Sequence, residues 1–215
     1  MTKNTVRIWT QQPYNRPMKQ ALFTAVLALS ASSVLAQSAS QAQRQFEAGQ
    51  YQQVVEAATP DGDPALLFTA AQSYQKLGQA EQAIGAYGAL AARDEGDPWH
   101  SIGLSGQQLM GEDVDGAMAS ARHAVEMAGN MAETHYQLGM VLAKAKSWSD
   151  AADEFDRVNE LDPANAYAYY YGGLMHYRAN RPDRMANRFE RFLALAPNAP
   201  ERPEVTQIMR TIRGR

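Results

Sequence analysis

The chain has 215 residues, a formal net charge of −3 and no cysteine, which excludes disulfide staples, thiolate metal sites and a lipid-attachment cysteine. Lys3, Arg7, Arg16 and Lys19 stand with no acid in the first 36 residues, so the remainder carries 16 basic against 23 acidic side chains, a net of −7. A general nucleic-acid binder needs clustered cations against phosphate, and this balance argues against one.

Residues 1–17 are polar, precede Met18 and read as an over-called N-terminal extension. Met18-Lys19 then opens an apolar run from Ala21 to Leu35, diluted by Thr24, Ser30, Ser32 and Ser33 and closed by Val34-Leu35-Ala36. A basic start, an apolar stretch of secretory length and a small-residue site predict a signal peptide over 18–36, cleaved after Ala36. The run is too short and too interrupted for a comfortable membrane span, with a retained anchor as the alternative. The expected location is periplasmic or secreted, with no stable membrane span after cleavage.

Residues 37–63 hold Ala42, Phe46, Gly49, Tyr51 and Val54 at helical spacing. They read as a truncated first repeat with an abbreviated second helix. From residue 64 a period of 34 takes over. Asp63-Pro64 returns as Asp97-Pro98, and Leu161-Asp162-Pro163 returns as Leu195-Ala196-Pro197. The units are 64–97, 98–131, 132–165 and 166–199. The first has Ala71, Tyr74, Ala83, Tyr87 and Leu90; the second Leu104, Ser105, Ala117, Ala121 and Ala124. The third has Tyr136, Leu138, Gly139 and Leu142 on one helix and Trp148, Ala151, Phe155, Val158 and Leu161 on the next; the fourth has Gly173, Met185, Phe189 and Phe192. Asp63 and Asp97 are expected N-caps ahead of proline, and Ser147, with Asp150 three residues on, is expected to cap another helix. Pro203 opens a last helix over 200–215, whose Val205, Ile208, Met209 and Ile212 form a stripe suited to capping a solenoid, with a partner-binding tail as the alternative.

The spacing has a steric logic. Two antiparallel helices approach closely only if one position on each stays small: Ala71, Ser105, Gly139 and Gly173 on first helices, Ala83, Ala117 and Ala151 on second ones. Tyr87, Phe155 and Phe189 fill the space beside them. A fixed period of this length predicts stacked helix–turn–helix units. The pattern resembles the tetratricopeptide repeat (TPR) family, in its secreted bacterial form. The fold class expected is all-α, a right-handed α-solenoid of about four to five units with a C-terminal capping helix. Gln108 and His176 depart from the large apolar residues at Tyr74 and Leu142, and Met185 departs from the small alanine.

The resemblance implies that first helices line a concave groove. Helical spacing then selects Phe68, Trp99, Ile102, Tyr136, Met140, Tyr167, Tyr170, Leu174 and Tyr177 as a partner-binding stripe. Such aromatic anchors suit an extended peptide or amphipathic helix. The alternative is that this stripe is inter-repeat core or is covered by residues 38–58. Phe68, Ile102, Tyr136 and Tyr170 stand where chaperone-binding relatives carry a carboxylate clamp, which argues against recognition of a peptide C-terminus.

Arg181, Arg184, Arg188 and Arg191 fall on one helix face. They read either as a solvated convex face or as a dock for an anionic partner. His100, His123, His135 and His176 lie in four different helices without metal-ligand spacing, and the calcium-like stretch from Gly111 to Gly116 lacks its first and last ligands. No metal, cofactor or enzymatic activity is expected. The reading is an exported adaptor that binds a protein or peptide in envelope assembly. A carbohydrate-binding scaffold in polysaccharide export and a self-associating module stay open as alternatives, and so does a homo-oligomer.

Overall fold

The computed structural model describes residues 39–213; the extension over 1–17 and the signal segment over 18–36 lie outside the described residues. Among the described residues there are eleven helices and no strand. Helix α1 spans 39–47, followed by α2 (Tyr51–Ala57), α3 (Pro64–Lys76), α4 (Ala80–Ala91), α5 (Pro98–Met110), α6 (Val114–Met127), α7 (Ala132–Lys144), α8 (Trp148–Leu161), α9 (Ala166–Arg178), α10 (Pro182–Leu195) and α11 (Arg202–Arg213). Helices α3, α5, α7 and α9 start 34 residues apart and are 13 residues long each. Each helix from α2 to α10 packs on the next, which makes an all-α solenoid. Helix α2 is cut to 7 residues, half the length of α6, α8 and α10.

Local chemistry starts the helices. Asp63 accepts the N–H of Ala65 and Asp97 that of Trp99, each ahead of a proline that needs no such bond. Asp113 accepts from Gly116 and Asn165 from Ala168. Ser147 differs from expectation: its side chain makes no capping bond, and its own N–H goes to Leu142 O at 2.9 Å, so α8 starts from the preceding turn.

That turn is shared. Gly78, Glu112, Lys146 and Asn180, again 34 apart, have φ of 73°, 65°, 62° and 57°. The left-handed residue reverses the chain so that the next N–H reaches back: Gln79 to Tyr74, Asp113 to Gln108, Ser147 to Leu142 and Arg181 to His176. Only the first is a glycine; Glu112 and Lys146 hold this conformation at a steric cost of about 1–2 kcal/mol each, and asparagine, as at Asn180, adopts it more readily.

The small positions act as expected. A Cβ on Gly173 would come within 2.5 Å of the Phe189 ring, and one on Gly139 within 3.1 Å of Phe155. Ser105 is small and buried, and it donates to Ala117 O across the helix pair at 2.9 Å. The spacing does not single out Gly103 and Gly106, where a Cβ would strike Ala91 and Tyr87 at 2.3 and 2.2 Å. Of the three residues that break the pattern, Met185 and His176 are fully buried and Gln108 is half-buried.

Two apolar clusters result. One runs through α3 to α9. The other joins α1 and α2 to α9, α10 and α11, through Phe46, Val54, Tyr167, Phe192, Val205 and Met209. The segment leading into the last helix meets the N-terminal unit, where Gly49 lies against Pro200.

Candidate functional site

The first helices of the repeats are α3, α5, α7 and α9, and α1 lies against the last of them. Phe46 is 1% exposed, with its ring 4.7 Å from that of Tyr167 and 5.3 Å from that of Tyr51. Glu47 Oε1 accepts the Ala166 N–H at 2.9 Å, one of the free donors of the first turn of α9. The hydroxyls of Tyr51 and Tyr167 are 3.2 Å apart. Gly49 sits so close to Pro200 that a Cβ would come within 2.8 Å of its ring.

A polar chain completes this closure. The Tyr167 hydroxyl donates to Glu201 at 2.6 Å, and Lys76 Nζ donates to the other oxygen of Glu201 at 2.7 Å. Lys76 also stands 5.1 Å from the Tyr167 ring centroid and 5.9 Å from that of Tyr171. Burial alone would lower the Lys76 ammonium, but Tyr171 and Glu201 beside it hold it above its ordinary value. Burial, together with Glu201 and Tyr51, pushes the Tyr167 phenol far above its usual range, so it remains a donor.

These contacts place the expected groove residues. Phe68, Ile102, Tyr136, Tyr167 and Tyr170 are buried in the core. Trp99, Met140 and Leu174 are half-buried against it, and only Tyr177 is exposed, at 49%. Of the two readings of the stripe, the buried one fits most of its residues: Phe46 of α1 packs on the Tyr167 ring, and the rings of Phe68 and Tyr136 meet at 6.0 Å between α3 and α7. Tyr171 is absent from the stripe selected by spacing, yet its ring lies within 5.0–6.1 Å of Tyr136, Phe155, Tyr167 and Tyr170. Glu47 and Glu201 are absent from it too, since neither stands in a repeating column.

Recesses lie beside α1 among the described residues. One, of about 380 Å³, lies among α1, α3, α7 and the start of α9, with Phe68, Tyr136, Tyr167, Glu47 and Glu133 on its walls. Another, of about 210 Å³, lies near the other ends of these helices, by Gln75, Lys76, Leu109 and Met140.

The arginine stripe is engaged within the chain. Arg181 donates to Asp153 at 3.2 Å, and Arg188 donates to Asp156 at 2.7 Å. Arg184 lies 4.0 Å from both carboxylates, and Arg191 lies 5.6 Å from the Tyr169 ring centroid. Asp156 also lies 3.2 Å from Nε2 of the buried His176. Burial would raise the Asp156 carboxyl, but its hydrogen bonds to His176 and Arg188 outweigh that and bring it to about 2. Arg181 and Arg188 thus form a seam between α8 and α10, while Arg184 stays 60% exposed.

The other histidines also serve contacts between elements. His123 Nδ1 is 2.9 Å from Ser101 Oγ, and His100 Nδ1 is 3.2 Å from Arg93 O. His135 lies 2.6 Å from Glu154, a bond that raises its imidazole above the ordinary value. Among the described residues no group of three or more His, Asp or Glu could hold a metal ion, and no helix is long and apolar enough to cross a membrane.

No protein-family model matches the chain, and no curated protein does. Solved structures do. TTC0263, a thermophilic TPR protein in Thermus thermophilus, is similar over 68% of this chain and 81% of its own, at 18% identity and a TM-score of 0.55. MamA is similar over 67% of this chain and 84% of its own, at 19% identity and a TM-score of 0.47. YrrB, a TPR protein with an unusual peptide-binding site, is similar over 80% and 82%, at 21% identity and a TM-score of 0.46. The 34-residue period, the paired helices and the likeness to the Thermus protein together make the described residues a solenoid of the tetratricopeptide-repeat fold.

Proposed function

We propose that this chain is an exported scaffold that binds a protein partner through the inner face of its solenoid, in assembly of the cell envelope. One observation carries the binding mode: the inner face already holds a helix. Helix α1 seats one aromatic anchor, Phe46, and one carboxylate, Glu47, against α9. A partner helix with an aromatic residue followed by an acid would meet the same rings and the same free N–H donors. Export rests on the segment from Met18 to Ala36.

The test compares the parent chain with Phe46→Ala, both checked for helicity by circular dichroism. Each is crosslinked in a cell-envelope extract, with and without a synthetic peptide of residues 38–58. The reading expects more partner on Phe46→Ala than on the parent, and loss of that partner when the peptide is added. A partner captured equally by both and unmoved by the peptide would place binding on another surface.

A further inference from the structure

Both ring nitrogens of His135 meet acceptors. Nδ1 is 2.6 Å from Glu154 Oε2 on α8, and Nε2 is 3.0 Å from the carbonyl oxygen of Gly129, in the turn before α7. A neutral imidazole carries one N–H, so one of these contacts would set two lone pairs against each other. Only the imidazolium donates to both. The residue is 8% exposed, so water has little access to replace either bond.

Gly129 belongs to the reversal that joins the second 34-residue unit to the third, closed by the Met131 N–H on Ala128 O at 3.0 Å. The Thr134 hydroxyl reaches Ala128 O and Met131 O at 3.1 and 2.8 Å, and His135 takes the Gly129 carbonyl. We propose that His135 is a proton-dependent pin at this junction: as the imidazolium it ties the turn from Ala128 to Met131 to α8, and on losing a proton it releases the turn. The order of release follows from bond strength. Once neutral, the ring keeps its N–H on Nδ1, because a bond to the Glu154 carboxylate is charge-assisted and one from a neutral ring to a carbonyl is not. The lone pair of Nε2 then faces the Gly129 oxygen, and the turn lets go while α7 and α8 stay together. The pin is particular to this junction: Leu67, Ser101 and Tyr169 stand at the same place in the other units, and none carries an imidazole.

The surrounding charges set the sign of the pH dependence. The bond to Glu154 raises the imidazole above its ordinary value of 6.5 and outweighs burial; the Gly129 carbonyl adds to it, and Arg157, one turn along α8, opposes it. Arg157 is itself paired with Glu160 at 2.7 Å. The turn from Ala128 to Met131 has no ionisable side chain, and Glu126 near the end of α6 is exposed. His100 of α5 lies by Arg93 O, and Glu133 of α7 lines the recess beside α1. The folded value is above the unfolded one, so the stabilisation is complete below pH 6.5 and is lost as pH rises through the raised value.

Nitrogen-15 NMR of the imidazole in the whole chain, with hydrogen exchange of the Met131 amide corrected for its intrinsic rate, tests the pin. The parent is expected to show two N–H groups on the His135 ring at pH 6 and a titration midpoint above 6.5. Protection at Met131 should fall about tenfold once that midpoint is passed. Glu154→Gln should move the midpoint down. His135→Leu, which places here the side chain found at Leu67, should give low protection at Met131 that no longer changes with pH. A single N–H at pH 6, a midpoint at or below 6.5, protection at Met131 that stays level in the parent, or a fall of the same size in His135→Leu would overturn the proposal. The ring measurement on the parent and Glu154→Gln decide the matter even where His135→Leu fails to fold. No readout involves a partner, so the result is independent of the scaffold reading.

Discussion

The seam between α8 and α10 and the closure between α1 and α9 are both held by charged and aromatic groups, but they span very different lengths of chain. In the seam, Arg181, Arg188 and His176 reach carboxylates 20–32 residues away, in the preceding repeat. In the closure, Glu47 reaches Ala166 across 119 residues, and Lys76 reaches Glu201 across 125. The first kind of contact follows from stacking alone, since each unit touches its neighbour. The second exists only because the superhelix brings its ends together. It turns the inner face of the solenoid into part of the core.

The sharpest way to break the closure is Phe46→Ala. Removing a buried ring should cost about 3–5 kcal/mol where its pocket cannot collapse. Because α3 to α9 keep their own cluster, hydrogen exchange should rise first in 39–57 and at the start of α9. Uniform loss of protection would mean that closure and solenoid unfold as one unit.

The seam is tested by Asp156→Asn, which removes a charge from the buried His176 and from Arg188 and should cost about 1–3 kcal/mol at neutral pH. The parent carboxyl lies near 2, below its ordinary 3.8. Its stabilisation is therefore complete above pH 4 and is lost as pH falls towards 2. Urea denaturation between pH 2 and pH 6 should show that acid loss in the parent and a flatter profile in the variant.

A smaller change within the closure is Glu201→Gln. It keeps an acceptor for Tyr167 but removes the partner charge of Lys76, and should cost about 1–2 kcal/mol, with the loss reduced by high salt. Smallest of all is Arg184→Gln. Its guanidinium is 60% exposed and 4.0 Å from either carboxylate, so a change of no more than about 0.5 kcal/mol is expected by thermal denaturation. A larger loss would show that the four arginines act as one network.

The repeating part of the fold was legible because it is written in period. Gly139 and Phe155, or Gly173 and Phe189, recur in phase for a steric reason that the sequence displays. The turn backbone has the same period, yet Glu112, Lys146 and Asn180 are chemically unlike, so no side chain signals it. The closure was not legible. Nothing in the spacing of Phe46, Glu47 or Glu201 says which residue more than a hundred positions away will meet it. The stripe from Phe68 to Tyr170 was legible in its helical positions, with residues 38–58 as one possible cover, but which of its rings α1 would meet was not. The arginines were legible as a face but not as a paired one, since Asp153 and Asp156 become their neighbours only once α8 and α10 stack.

The docking of Glu47 on Ala166 also sets an order of events during synthesis. The ribosome makes α1 first and its seat on α9 last, 119 residues later. At the usual rate of about 5–20 residues per second, that gap is about 6–24 s. For that time Phe46 and the growing inner face have no cover from each other. A holding factor would find its target in this interval, and its signature would be an aromatic nascent surface that vanishes when α9 emerges.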